Sequence, residues 1–277
     1  MKILVTNDDG YKAKGLKTLV KIMRAFGDVT VIAPKSHQSG MSMAVSLGKN
    51  PIAYKYLGEE DGAKWSYLDG TPASCVKYGL NFPFLKEKPG LVVSGINHGS
   101  NASTAACYSG TLGAAEEAAL NDIAAVGVSL DSLEAEADFS AVEQYLPQII
   151  KLIISRSARK YGLYYNINFP DSSPEEIKGV RVCEMGLGKW EREFKEWKSE
   201  ALNEKASSDG SNTELHVEEG EILYKMAGEY MDYSFSPERA DNILVNQGYI
   251  SIVPHNLAST DVEELISMDK EGFNKDF

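Results

Sequence analysis

Cysteine is scarce in this sequence, which holds three in 277 residues. Cys75, Cys107 and Cys183 lie far apart, and no two of them share a C-x-x-C spacing. The pattern therefore predicts neither a zinc site nor a disulfide framework. We expect these side chains to be reduced thiols, as is usual in a cytosolic protein.

Long apolar runs are also missing. No stretch approaches the ~20 apolar residues that a membrane-spanning helix needs. The chain goes from Met1-Lys2 directly into a predicted strand, without the apolar stretch and small-residue cleavage site of a signal peptide. Together these absences predict a cytoplasmic protein that has no membrane partner.

Basic residues are too few to balance the acidic ones. Lys and Arg number 28 against 40 Asp and Glu, which gives a formal net charge of −12. Such a chain is a poor candidate for binding nucleic acid or an anionic membrane, because both repel negative charge. A small phosphorylated molecule remains a suitable partner where a bound metal ion reverses the local charge.

The first half of the chain alternates strands and helices. Residues 2–6 and 29–33 are predicted strands, and apolar residues recur at helical spacing over 16–26 between them. This βαβ unit predicts two parallel strands with a right-handed crossover. Further strands at 91–94 and 124–129 flank an Ala-rich helix. The alternation predicts an α/β fold with a Rossmann-like, doubly wound, mostly parallel sheet and helices on both faces.

Two prolines mark predicted interruptions in the second half. A helix is expected over 139–156, with a kink or break at Pro147, because proline lacks the N–H that an internal helical turn needs. A strand over 249–253 is expected to stop at Pro254 for a similar reason. The second half is therefore predicted to be less regular than the first.

These patterns divide the chain into two predicted parts. Residues 1–185 are assigned to the α/β core, and residues 186–277 to a C-terminal extension. The extension is expected to contain a polar hairpin arm with a turn at 207–213, followed by a strand and a terminal helix. The arm either reaches a partner subunit or is a solvated hairpin, and the sequence leaves both open.

Asp8 and Asp9 directly follow the apolar run Ile3-Leu4-Val5-Thr6. Two adjacent carboxylates at the end of a buried strand repel each other, and burial penalises both charges. A bound cation would relieve this cost. The pair therefore predicts an anionic pocket for a metal ion, although the same residues could simply cap a turn.

Two other loops are expected at the same edge of the sheet, where ligands bind in open α/β folds. One contains Ser39, flanked by Gln38 and Gly40, and the other contains Asn97 after the strand at 91–94. Carboxylate, hydroxyl and amide oxygens suit Mg²⁺, Mn²⁺ or Ca²⁺ better than zinc. Taken singly, Ser39 and Asn97 are also ordinary loop residues.

Ser109-Gly110-Thr111 opens the Ala-rich helix, whose N–H groups and positive end could hold a phosphate. Simple capping by Ser109 is the alternative. We also assign Asn7 and Gly40 to the predicted phosphate contacts. A metal site and a helix N-terminus that face one crevice suit hydrolysis of a phosphate monoester. The sequence lacks the GxxxxGK[ST] and GxGxxG motifs of other phosphate sites.

Several short motifs follow one another in a fixed order. They are Ile3-Leu4-Val5-Thr6-Asn7-Asp8-Asp9-Gly10, Ala33-Pro34 with Gln38-Ser39-Gly40, Asp69-Gly70-Thr71-Pro72, Ser94-Gly95-Ile96-Asn97 with Gly99 and Asn101, Tyr108-Ser109-Gly110-Thr111, Asn166-Ile167-Asn168-Phe169-Pro170 and Gly248-Tyr249-Ile250-Ser251-Ile252. In these motifs the chain resembles the SurE family of metal-dependent nucleotidases. The resemblance is strong up to residue 130 and patchy after residue 170.

The resemblance implies one divalent metal ion, Mg²⁺ or Mn²⁺, bound by Asp8, Asp9, Ser39 and Asn97, with Asp8 and Asp9 as the catalytic residues. It implies hydrolysis of nucleoside 5′- and 3′-monophosphates, with cleavage of short polyphosphate in some members. It also implies a homodimer or homotetramer in which C-terminal segments are exchanged between subunits. The chain departs from the family at 103–106, which lacks the acidic residues that many members carry there.

Two other classes of function are consistent with parts of the pattern. A phospho-acceptor regulatory module also has an Asp pair after its first strand, but it needs a further carboxylate where this chain has Ser94-Gly95-Ile96-Asn97. A protein that binds nucleotides without hydrolysing them would need the same crevice. The sequence leaves this second alternative open.

Overall fold

The computed structural model of the chain describes residues 1–48, 51–134, 136–156, 160–197, 220–271 and 273–274. The strands are β1 (Lys2–Thr6), β2 (Asp28–Pro34), β3 (Tyr54–Glu60), β4 (Ala63–Leu68), β5 (Leu91–His98), β6 (Ala124–Leu130), β7 (Leu163–Phe169), β8 (Val180–Val182), β9 (Gly188–Glu191), β10 (Phe194–Glu196), β11 (Tyr224–Met226), β12 (Glu229–Asp232) and β13 (Ile250–Asn256). The α-helices are α1 (Lys14–Met23), α2 (Pro72–Asn81), α3 (Gly110–Leu120), α4 (Ser140–Ser155), α5 (Asp241–Asn246) and α6 (Val262–Lys270).

Within the described residues, nine strands form one sheet in the order β3-β4-β2-β1-β5-β6-β7-β13-β8. Strand β1 lies inside this sheet and pairs in parallel with β2 on one side and β5 on the other. Within this sheet, the described antiparallel pairs are β3–β4 and β7–β13, and the other described pairs are parallel. The predicted α/β fold with a mostly parallel sheet is therefore confirmed.

Helices cover both faces of this sheet, which explains why its inner strands are apolar without alternation. Ile3 and Val5 of β1 pack into one core cluster together with Leu16 of α1 and residues of α4. Leu4 points to the opposite face, where it packs in a second cluster with Leu112 of α3 and residues of α2. Each face therefore has its own core, and β1 contributes to both.

Three predicted boundaries are wrong. Strand β5 continues to His98 instead of ending at Ser94, with a shift in its pairing to β6 between Ser94 and Asn97. Helix α4 continues past Pro147, so of the predicted kink or break the break is absent, and its buried apolar face holds the helix against the core on both sides of the proline. Strand β13 continues through Pro254, where its neighbour β8 has already ended at the level of Ile252, so no ladder bond is lost on that side.

The chain divides into two compact units, Met1–Gly186 together with Ser236–Phe277, and Leu187–Phe235. In the first unit, β13 pairs with β7 and β8, so the C-terminal strand belongs to the main sheet. The described part of the second unit contains the antiparallel pairs β9–β12 and β10–β11. The turn predicted at 207–213 lies outside the described residues. No described helix is both long enough and apolar enough to span a membrane.

Candidate functional site

The strand order reverses between β1 and β5. From β1 the chain proceeds to β2 and β4 on one side of the sheet, and then crosses to β5 on the other. In open α/β folds, ligands bind outside the carboxyl ends of the strands at such a switch point. Asp8 and Asp9 follow β1 there, and Asn97 lies near the end of β5. The fold therefore brings these predicted residues to one crevice.

Asp8 is held by contacts to two other segments. Its carboxylate Oδ1 accepts a hydrogen bond from the hydroxyl of Thr111 at 2.5 Å, and its backbone carbonyl accepts one from the N–H of Gln38 at 2.7 Å. Asp8 is only 3% exposed. Burial, followed by the neighbouring charge of Asp9, raises the pKa of Asp8 to about 6. The carboxylate thus has the uncompensated negative environment that a cation would stabilise.

Asp9 connects the first loop to the other two. Its Oδ1 lies 3.5 Å from Nδ1 of His37, and its Oδ2 accepts a long hydrogen bond of 3.4 Å from the backbone N–H of His98. The side chain of Asp9 is 12% exposed, against 48% for His37. Burial also raises the pKa of Asp9. His37 therefore contacts this carboxylate with its side chain, and His98 with its backbone.

Asn97 and Ser39 occupy different environments. Asn97 is buried, and its side-chain nitrogen donates to the carbonyl of Gly99 at 2.7 Å, which leaves its side-chain oxygen as the atom suited to bind a cation. Ser39 is exposed, as is Gly40. Ser39 follows Gln38, whose N–H binds the Asp8 carbonyl. The chain therefore positions Asn97 by a side-chain bond, and Ser39 through its neighbour's backbone.

The N-terminus of helix α3 packs directly against Asp8. A Cβ atom on Gly110 would lie 3.0 Å from Oδ2 of Asp8 and 3.1 Å from the carbonyl oxygen of Gln38, contacts so tight that these neighbours would have to shift by a few tenths of an ångström. One turn later, a Cβ on Gly113 would overlap the carbonyl oxygen of Ser42. These two glycines allow the helix to approach the first and second loops closely.

The predicted phosphate contacts have other bonds in this structure. Ser109 caps helix α3, because its hydroxyl oxygen accepts the N–H of Leu112 at 3.1 Å. The hydroxyl of Thr111 donates to Asp8, and the side-chain nitrogen of Asn7 donates to the carbonyl of Gly10 at 3.0 Å. Phosphate binding at this end of the helix would therefore fall to backbone N–H groups rather than to these side chains.

The donor set fits a hard divalent cation. It combines the two carboxylates with a hydroxyl and an amide oxygen. The described residues hold no cluster of three or more His, Cys, Asp or Glu side chains arranged for a metal ion. The four predicted ligands do not form such a cluster, because two of them are the neutral oxygens of Ser39 and Asn97. In addition, the buried Oδ1 of Asn7 has no hydrogen-bond partner within the described structure.

A buried amide network, which we did not predict, holds the loop that follows β5. The side-chain oxygen of Asn168 accepts the backbone N–H of Asn101 at 2.8 Å, and the side-chain nitrogen of Asn166 donates to the Asn101 carbonyl at 2.9 Å. Asn101 itself donates to the hydroxyl of Ser129 at 2.8 Å. The network ties this loop to β6 and β7. The sequence signal for it is the repeated Asn at 166 and 168 in an otherwise apolar strand.

Comparison with known proteins identifies the family of this chain. The family model described as survival protein SurE matches residues 3–192. The chain belongs to the SurE family. A SurE relative from Flavobacterium psychrophilum, named 5′-nucleotidase SurE, is 33% identical over 273 residues, which cover 99% of this chain and 98% of the relative. A protein of the same name from Cytophaga hutchinsonii is 36% identical, over 91% of this chain and 89% of its own.

A solved structure in this family has the same fold. The crystal structure of the SurE protein from Aquifex aeolicus superposes with a TM-score of 0.75 at 25% identity and covers 98% of this chain and 99% of the other. The SurE fold is therefore common to both proteins.

Proposed function

We propose that this chain is a 5′-nucleotidase that hydrolyses nucleoside monophosphates to nucleoside and phosphate with the help of one divalent cation, Mg²⁺ or Mn²⁺. The observation that carries the proposal is the adjacent pair of carboxylates, buried Asp8 and partly buried Asp9, with Asp8 packed against the N-terminus of α3. The names of the SurE relatives support the class of reaction.

Asp8, Asp9, Ser39 and Asn97 are the residues that would hold the cation. When bound, the cation supplies positive charge that offsets the phosphate oxygens and favours ionisation of water. Its charge would also stabilise the ionised form of Asp8, whose pKa is raised in the protein alone. The cost of burying this carboxylate is thus a feature of the unliganded site.

The N-terminus of helix α3 is suited to bind the phosphate group. The N–H groups of Leu112 and Gly113 are already bonded to Ser109. Anion binding would therefore use the N–H groups of Gly110 and Thr111, at the positive end of the helix dipole. Gly110 has no side chain to block the approach, and Thr111 keeps Asp8 oriented through its hydroxyl.

During hydrolysis the oxygen of a water molecule forms a bond to phosphorus, the ester P–O bond breaks, and the nucleoside hydroxyl leaves with a proton. One carboxylate of the pair would accept the proton from the attacking water. Direct attack on phosphorus by a carboxylate is the alternative route, with a covalent acyl phosphate that water then cleaves. The pair supports both routes equally.

Two finer features of the proposal come from the family resemblance. The first is activity toward 3′-monophosphates in addition to 5′-monophosphates. The second is a homodimer or homotetramer built with the C-terminal segment. Helix α6 supports the second feature, because it exposes the apolar side chains of Val262, Leu265 and Ile266. Light scattering of the purified protein would measure the oligomeric state. The cytoplasmic location stays a prediction.

The direct test is phosphate release from 5′-AMP and 3′-AMP by the purified protein, with Mg²⁺ or Mn²⁺ and after treatment with EDTA. We expect release of phosphate with at least one metal, loss of activity in EDTA, and recovery when the metal is restored. Undiminished turnover in EDTA would overturn the metal dependence. Binding of AMP without phosphate release under every metal condition would instead favour a nucleotide-binding protein.

A further inference from the structure

The segment from Gly99 to Tyr108 joins the two sides of the candidate site. It begins just after Asn97 and ends at Ser109, which caps helix α3. Asn101 ties its first half to β6 and β7, and Ser103 ties its second half, because this buried residue donates from its backbone N–H to Oδ1 of Asp241 at 3.0 Å and from its hydroxyl to the carbonyl of Gly186 at 2.9 Å. The position of this segment therefore depends on Asp241, which is far away in the sequence.

Asp241 is a fully buried carboxylate that collects backbone donors from three segments. Its Oδ1 accepts the N–H of Ser103 at 3.0 Å, that of Gly186 at 2.8 Å and that of Asn242 at 2.8 Å. These residues belong to the loop after β5, to the end of the segment that follows β8, and to helix α5. A single oxygen atom thus joins three parts of the main unit.

A carboxylate is costly at a fully buried position unless polar groups compensate its charge. Here three backbone N–H groups compensate the charge in part, since burial still raises the pKa of Asp241 and its Oδ2 has no hydrogen-bond partner within the described structure. Each of these N–H groups would lose its partner if an apolar side chain replaced Asp241. The residue contributes little to the apolar core. The structural reason for a carboxylate at this position is therefore the set of backbone N–H groups that it binds.

We propose that Asp241 is a positioning residue of the candidate site, which fixes the Gly99–Tyr108 segment and thereby the N-terminus of helix α3 against Asp8. This inference rests on the proposed function, because its catalytic consequence requires that the site hydrolyses a phosphate ester. Asp241 acts through Ser103 and makes none of the described contacts to the predicted metal ligands.

A short chain segment leads from the residue that Asp241 binds to the helix that contacts Asp8. Ser103 begins a 3-10 helix, Ser103–Tyr108, that leads directly into Ser109 and Gly110. The carbonyl of Tyr108 accepts the N–H of Ser42, which fixes the second loop as well. A displaced Ser103 would therefore shift both the N–H groups at the start of α3 and the loop that carries Ser39.

The test compares Asp241→Ala, which removes all three bonds, with Asp241→Asn, which keeps an acceptor oxygen and loses the charge. A matched control is Ser66→Ala, because buried Ser66 donates to the carbonyl of Val31 at 2.7 Å and is remote from this loop. For each protein we would measure hydrogen exchange over residues 99–110, the unfolding temperature, Mn²⁺ binding, and kcat and KM for AMP.

We expect exchange over 99–110 to increase in the order wild type, D241N, D241A, with little change in S66A. A displacement of about 1 Å at a reacting group costs about 100-fold in rate, so we expect kcat to fall by about this factor in D241A and by about 5-fold in D241N, with Mn²⁺ binding nearly unchanged. If D241A fails to fold, D241N carries the test through the same exchange and kcat measurements.

Unchanged exchange over 99–110 in folded D241A or D241N would overturn the proposal. It would also be overturned if S66A, at an equal loss of unfolding temperature, lowered kcat as much as D241A does. If the wild-type protein released no phosphate from AMP, the proposed function would fail, whereas the exchange and Mn²⁺ measurements would still decide whether Asp241 positions this segment.

Discussion

The two sides of the candidate site differ in how the protein holds them. On the buried side, Asp8, Asn97 and Thr111 have little or no exposure, and side-chain hydrogen bonds fix all three. On the exposed side, His37 is 48% exposed, and Ser39 is exposed as well. Half of the site is therefore preformed, and the other half is suited to be completed by the bound cation and substrate.

The two sides also differ in how much they lower the stability of the fold. Burying like charges on adjacent residues destabilises the fold, and the pKa of Asp8 records this cost. The exposed side has no comparable cost, because water solvates its polar groups. Substitutions on the buried side should therefore change both activity and stability, whereas those on the exposed side should change activity alone.

The largest effect is expected from Asp9→Asn, which keeps the shape of the side chain and removes one charge. Loss of the metal's charge stabilisation amounts to several kcal/mol, so kcat/KM for AMP should fall by at least about 1,000-fold. Asp28→Asn is the matched control, since Asp28 is exposed at the start of β2. Activity of D9N close to that of D28N would exclude Asp9 as an essential residue.

Asp8→Asn should stabilise the metal-free protein while it removes activity. The pKa of Asp8 is about 6 in the folded protein against an ordinary value of 3.8, so the folded state binds more protons between these values and stability falls as pH rises through them. Above pH 7, ionisation of Asp8 should lower the free energy of unfolding of the metal-free wild type by about 3 kcal/mol. Asp8→Asn has no such charge and should keep this stability. Urea unfolding in EDTA at pH 4 and pH 7.5 would measure it. Equal pH dependence in both proteins would contradict the account.

A smaller effect is expected where Thr111 orients Asp8. Thr111→Val is close to isosteric but lacks the hydroxyl, and the loss of such a supporting bond typically lowers metal affinity or activity by about 10–100-fold. Thr111→Ser retains the hydroxyl and should recover most of the activity. Titration with Mn²⁺ and AMP kinetics would check both variants. If T111V and T111S behaved alike, the hydrogen bond to Asp8 would have no functional role.

The smallest effect is expected on the exposed side, from Ser39→Ala. Removal of one neutral oxygen ligand should weaken activity by about 10-fold and leave the free energy of unfolding within about 0.5 kcal/mol of the wild type, as for other surface substitutions. AMP kinetics and urea unfolding together would measure this. A stability loss in S39A as large as that of a core substitution would remove the distinction between the two sides.

Local signals in the sequence were sufficient for much of the fold and for the centre of the site. The apolar run before Asp8 predicted a buried strand, which the structure confirms. For Ser109 we predicted a phosphate contact with helix capping as the alternative, and the structure has the cap. Both predictions depend on neighbours within a few residues. The meeting of the carboxyl ends of β1, β2 and β5 followed from the parallel topology alone.

Long-range pairing accounts for what the sequence did not predict. Thr111 bonds to Asp8 across 103 positions, Asn101 to Asn168 across 67, and Ser103 to Asp241 across 138. No local periodicity encodes such partners. The continuation of β13 through Pro254 likewise depends on where the separate strand β8 ends. These features become visible only when the packed strands and loops are known.

The measurement that tests the central claim most directly is equilibrium binding of Mn²⁺ to the wild-type, D9N and D28N proteins. The electron paramagnetic resonance signal of free Mn²⁺ reports how much of the ion each protein has bound. We predict one Mn²⁺ per chain for the wild type and for D28N, and binding weakened by at least about 100-fold in folded D9N. The reason is that loss of a direct ligand should lower metal affinity at least as much as loss of a contact that supports a ligand. Equal Mn²⁺ binding by D9N and the wild type would contradict a metal site at the Asp8–Asp9 pair.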